Sequence, residues 1–144
     1  MNSINLQVNL LRFQNVIEMT DLEFIVDYCT NQYGAEAEYP WDDPNFVFRH
    51  KDNKKWYLLV MPISVSRLGL KDDRIENVMN LKCDPMVLDT ITRDMDGVFP
   101  GYHMNHRHWI SVILDGTVDR KRLTNLIDMS YTLTGSKSKK RKKD

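Results

Sequence analysis

The sequence predicts an α+β sandwich, with helices packed on one face of a mainly antiparallel sheet. Three observations carry that prediction. A helix-capping signal with an apolar stripe at helical spacing opens the folded region. Three runs rich in aromatic and β-branched residues follow with no helix between them. Two further helix signals flank one more such run. The resulting order is helix, three strands, helix, strand, helix. With 144 residues, 42% of them hydrophobic, the chain has the material for one domain with one core.

Thr20 with Glu23 three residues on is a capping box. The apolar positions Leu22, Ile25, Val26 and Cys29 then fall on one side of a helix over about residues 21–33, and Gly34 is placed to end it. "EYPWDDPN" is a loop by its two prolines and paired acids. "FVFRH" and "KWYLLVMPI" flank "KDNK" and form a hairpin. The second of these strands is apolar on both parities, as a strand covered on both faces must be. "SRLGLKDDR" is a connection and "IENVMNLKC" a third strand. Asp84 caps a short helix that carries Pro85 at its first position and runs to about Asp94, before Gly97 and Pro100 break the chain. "HWISVIL" is a fourth strand, ending at the turn pair Asp115-Gly116. Asp119 caps a last helix with apolar positions Leu123, Leu126, Ile127 and Tyr131, and Gly135 ends it.

The formal net charge is zero, yet the charge is unevenly spread. Eight acids and no Lys or Arg lie between Phe13 and Phe48, whereas Arg49 to Lys82 holds eight bases against four acids. "KSKKRKKD" at the end carries a net +5, which leaves residues 1–136 at −5. A body of that sign gives no general support for phosphate binding, so any such role must lie in local basic features. Cys29 and Cys83 are the only cysteines and form no CxxC pair, which excludes a disulfide framework and a cysteine-rich zinc site. No run reaches the length of a membrane span or a secretory h-region, and with reduced, buried thiols the expected location is the cytoplasm.

"GYHMNHRHW" places His103, His106 and His108 within six positions. Such spacing permits a metal site, but no acid or cysteine lies beside the histidines to complete a shell, and no metal or other cofactor is expected. A nucleophile at Cys83 activated by His103 or His108 is the weaker alternative to a small, buried, structural thiol at the helix start. With no Gly-rich phosphate loop, paired-carboxylate signature or Ser-His-Asp order, the expectation is a protein that is not an enzyme. The remaining reading is a polar loop that presents His103, Asn105, His106 and Arg107 before His108 and Trp109 enter the strand. Lys51, Lys54 and Lys55 form a second basic turn at the hairpin tip.

"EYPW", "VFRHKDNKKWYLLVM", "NLKCDP", "FPGYHMNHRHWISVILDG" and "LIDMSYTL" occur in an order that resembles the MmcQ/YjbR family from about Thr20 to Thr134. The resemblance implies a CyaY-like, frataxin-type sandwich and a DNA-binding role through a proposed double-wing surface. Two features depart from it: members usually begin near the position of Met19, and they commonly carry Lys where this chain has His106. The expected organisation is an N-terminal extension over 1–18, the family domain over 19–135 and a basic, disordered tail over 136–144 that hovers over the acidic first helix. The expected nucleic-acid-binding residues are Lys51, Lys54, Lys55, Lys82, His103, Asn105, His106, Arg107 and His108, acting on duplex DNA with little sequence preference. The alternative is a protein-interaction domain that offers aromatic residues of the sheet, such as Trp109, to a partner. No membrane role is expected.

Overall fold

Local signals set the helix boundaries. The chain is described by a computed structural model covering residues 19–136, so the expected N-terminal extension and the basic tail from residue 137 onward lie outside the described residues. Helix α1 (Asp21–Tyr33) starts at the capping box: the Glu23 amide donates to Thr20 Oγ1 at 3.1 Å, and the Thr20 amide donates back to Glu23 at 3.4 Å. Gly34 ends it at φ 64°, a left-handed conformation that favours glycine. Helix α2 (Pro85–Asp94) is capped by Asp84, which accepts from the Met86 amide at 2.9 Å. Helix α3 (Arg120–Thr134) is capped by Asp119.

The sheet has five strands where the sequence predicts four. Strands β1 (Phe46–Arg49), β2 (Trp56–Ser64), β3 (Ile75–Lys82), β4 (Val98–Pro100) and β5 (Trp109–Ile113) lie in the order β1-β2-β3-β5-β4, with every neighbouring pair antiparallel. The extra strand is β4, in the stretch expected to break the chain. It is only three residues long and pairs with β5 alone, and Pro100 sits at its end on the sheet edge, where a missing N–H costs little. The β2–β3 connection contains a short 3₁₀ turn, Val65–Leu68.

All three helices cover one face. Ile25, Cys29, Leu88, Leu123 and Ile127 pack on Phe48, Leu58, Val60, Met79, Leu81, Ile110 and Val112. A β-bulge adds to this side: the β1–β2 register steps from Phe48↔Leu58 to Arg49↔Trp56, which brings Tyr57 into the same core as its neighbour Leu58. A smaller cluster, Ile63, Val65, Val78 and Ile113 with Phe99 and Tyr102, occupies the helix-free face. Among the described residues, no helix is long and apolar enough to cross a membrane.

Candidate nucleic-acid interface

The hairpin tip is built to hold its lysines outward. The His50 amide donates to the Lys55 carbonyl at 2.9 Å, and Asn53 Oδ1 accepts from the Lys55 amide at 2.9 Å. Two bonds fasten the tip to the end of α3: Asn53 Nδ2 donates to the Thr134 carbonyl at 2.9 Å, and buried His50 Nε2 lies 2.8 Å from Thr134 Oγ1. The Thr134 hydroxyl donates its one hydrogen to the Ser130 carbonyl at 2.8 Å, so the imidazole is the donor of the pair. Lys51, Lys54 and Lys55 are exposed.

The histidine loop is anchored by a closed polar circuit on the helix-free face. Asn80 and Ser111, both 0% exposed, are register partners on β3 and β5. Asn80 Nδ2 donates to the Tyr102 carbonyl at 3.0 Å, the Ser111 hydroxyl donates to Asn80 Oδ1, and the Tyr102 amide donates to Ser111 Oγ at 2.8 Å. Beyond Tyr102 the chain turns through His103 at φ 60°. Asn105 then closes the turn: its carbonyl accepts from the amides of His108 and Trp109, and its Oδ1 accepts from the Arg107 amide at 2.9 Å. The Asn105 side chain is therefore spent partly on the loop itself, with its Nδ2 left as the group to offer outward. His103, Asn105, His106 and Arg107 are exposed, and His108 is half-buried.

Strand register brings the two basic features to one end of the sheet. The tip leads into the start of β2, where Leu58 pairs with Leu81; one residue further on, Lys82 pairs with Trp109, the first residue after the loop. Lys82 Nζ sits 5.2 Å from the Trp109 ring centroid, a cation–π contact in the middle of this end. The tip leans toward the helix side and the loop toward the opposite face, because their anchors are Thr134 and the Asn80–Ser111 pair respectively. Asp52 lies within the tip and Asp84 follows Lys82 by two residues, and Glu36 and Glu38 line one cleft with Lys51 and Lys54.

Other chemistries weighed from the sequence find less here. Among the described residues, no group of three or more His, Cys, Asp or Glu side chains is placed to hold a metal ion. Cys83 meets His108 only through the backbone, its amide donating to the His108 carbonyl at 2.8 Å, while its thiol points to the Asp84 carbonyl at 3.6 Å. Burial, reinforced by the Asp84 charge, pushes the Cys83 thiol up to about 11, and burial with Asp128 nearby pushes Cys29 up to about 12. Neither is a thiolate at neutral pH. Trp109 is half-buried beside Lys82; among the described residues the exposed aromatics are instead Tyr39 (60%) and Trp41 (39%).

The structure also holds a cleft beside the hairpin tip that no single stretch of the sequence marks. Tyr33, His50, Tyr57 and Tyr131 line it, and its volume is about 480 Å³. Tyr33 and Tyr131 stack at 3.7 Å, and Asp128 accepts from the hydroxyls of both Tyr28 and Tyr33. Burial, then the hydrogen bond to Asp128, raises Tyr28 to about 12 and raises Tyr33 as well. The Tyr57 hydroxyl is buried with no partner among the described residues, and burial raises its pKa too. An unpartnered buried hydroxyl costs about 1–3 kcal/mol. Tyr57→Phe is therefore expected to raise the thermal midpoint by about 4 °C, equivalent to roughly 1 kcal/mol. A fall in the midpoint on calorimetry would show that the hydroxyl is used within the fold.

A family model described as YjbR matches residues 30–133. YyaQ of Bacillus subtilis is 39% identical over 118 residues, which cover 81% of this chain and 99% of that protein. YjbR of Escherichia coli K12 is 25% identical over 107 residues, covering 74% and 80%. Both are uncharacterised proteins. A crystal structure of a Pseudomonas syringae protein superposes with a TM-score of 0.74 at 38% identity, covering 77% of this chain and 96% of that one.

Proposed function

The chain belongs to the YjbR family, and from that premise we propose that it is a non-enzymatic DNA-binding module that grips the phosphate backbone with one end of its sheet. One observation carries this reading: the hairpin tip, Lys82 and the histidine loop, far apart in sequence, meet at the same sheet end. Lys51, Lys54, Lys55 and Arg107 are exposed on rigidly anchored turns, so little side-chain support must be ordered on binding. The opposite lean of the two turns suits a bound duplex that lies across the sheet end and meets one turn on each side. Backbone contacts of this kind position a protein without reading sequence, and the expected binding is weak and sequence-tolerant.

Charge reversal tests the two sides separately. Lys54→Glu and Arg107→Glu are each expected to weaken duplex binding about tenfold at low salt, and the double variant about a hundredfold, because the sites are independent. Fluorescence anisotropy with a labelled duplex is the measurement. If Arg107→Glu alone had no effect, the histidine loop would be removed from the interface.

A further inference from the structure

The helix-free face of the sheet carries a row of side chains that the described residues cover only at one end. Val47, Leu59, Asn80 and Ser111 are successive register partners across β1, β2, β3 and β5. Each sits between two residues of the helix-side core, so all four point away from the helices. The Asn80–Ser111 half lies beneath Tyr102, which bonds to both. Val47 and Leu59, at 2% and 4% exposure, are nearly as buried, yet among the described residues they belong to neither apolar cluster. Leu68, Phe99 and Tyr102 pack on Ile63, Val78 and Ile113 instead. A leucine whose row neighbours are Val47 and Asn80, neither of them longer, would keep its outer end in water unless something lay over it. Beyond Val47, at the sheet edge, Tyr39, Pro40 and Trp56 continue the apolar surface around a cleft.

We propose that residues 1–18 of the same chain dock on this face and cover Val47 and Leu59. Composition favours that occupant, because Arg12 and Glu18 are its only charged side chains. Leu6, Leu10, Phe13 and Ile17 recur at spacings of four, three and four, as one side of a helix requires, while Ile4, Leu6, Val8 and Leu10 alternate as one face of a strand requires. Either form offers an apolar side. The face matches it in charge, since Arg49 is already paired with Glu38 at 2.7 Å. The segment also starts from a suitable place. Arg120 donates to the Met19 carbonyl and the Gly116 amide donates to Asp21 at 2.8 Å, which holds residue 19 beside the turn that follows β5. From β5 to β1 is three inter-strand steps, roughly 15 Å, and 18 residues span about 27 Å even when wound as a helix. A segment tethered this close has the advantage of high effective concentration over a second copy or an unlinked partner of the same composition. Docked there, it closes the β1–β2 side of the face to a protein partner, and it does so independently of DNA binding at the sheet end.

The test uses the full chain. A nitroxide on Gln7→Cys, a position polar in both patterns, reports where the segment lies, and Cys29 and Cys83, at 0% and 1% exposure, do not compete for the label. The amide signals of Val47, Leu59 and Met61 are expected to lose most of their intensity, while those of Val87 and Leu133, in the groove between α2 and α3, keep it. Adding Leu10→Asp and Phe13→Asp to the nitroxide-bearing chain should restore the lost signals. Loss at Val87 and Leu133 with Leu59 unaffected would overturn the proposal, as would full intensity throughout or a loss at Leu59 that survives the two Asp substitutions. The first measurement needs neither substitution, so it decides even if the doubly substituted chain does not fold. A mixture of nitroxide-bearing chain without isotope and isotope-labelled chain without nitroxide tests the remaining occupant. Loss at Leu59 in that mixture would assign the cover to a second copy and overturn the same-chain assignment; full intensity there supports it.

Discussion

Asn80→Ala is expected to destabilise the protein by about 3 kcal/mol and to free the histidine loop from the sheet. The side chain is fully buried and makes two bonds of a closed circuit, to the Tyr102 carbonyl and from the Ser111 hydroxyl. Truncation leaves the Ser111 hydroxyl hydrogen buried without a partner at about 1–3 kcal/mol, takes the donor from the part-buried Tyr102 carbonyl at about 1 kcal/mol, and opens a small void. Partial relaxation of the loop, which lies at the surface, keeps the sum below the simple total. Urea unfolding should show the loss in stability, and hydrogen exchange should show faster exchange at the Tyr102 amide, whose acceptor is Ser111 Oγ. A loss under about 1 kcal/mol would mean that the circuit does not hold the loop.

Gly101→Ala is expected to cost a similar amount for a different reason. A Cβ at this position would lie 2.8 Å from Trp109 Cβ and 3.0 Å from the Trp109 carbonyl oxygen. Its backbone is not in the left-handed region, so the requirement for glycine is one of space alone. The nearest atoms belong to the facing strand, which cannot yield as the end of a flexible side chain would. Relief requires β4 and β5 to part, with loss of the bond from the Gly101 amide to the Trp109 carbonyl at 2.9 Å. Overpacking of this kind costs about 1–3 kcal/mol, and the lost bond about 1 more. Thermal unfolding followed by tryptophan fluorescence should report both the loss and a changed Trp109 environment. An unchanged midpoint would contradict the tight packing of this edge.

The legible parts of the fold were those encoded locally. Thr20 with Glu23, Asp84 with Pro85, and Asp119 each announce a helix within four residues, because a cap is a contact between near neighbours. Nothing in the sequence marks β4, because three residues carry no period and the strand depends on β5 beside it. The candidate basic residues were found by type, but their meeting at one sheet end is a consequence of register, which no single stretch specifies. Asn80 and Ser111 look in sequence like solvent-facing strand positions and are instead the buried anchor of the loop. The tyrosine cleft draws on α1, β2 and α3, and needs the bulge at Tyr57 to close it, so the sequence held no local sign of it.

In the function proposed above, the folded body, and not the +5 tail, binds DNA. The most direct measurement is the affinity of a chain ending at Gly135 for duplex DNA between about 50 and 200 mM salt; that end point keeps α3 and its cap whole. Three to four engaged phosphates predict a slope of log affinity against log salt of about −3, reduced in magnitude by about one in Lys54→Glu and again in Arg107→Glu. Binding by the full chain but none by the shortened chain at the lowest salt would contradict the account and leave the tail as the source of any affinity.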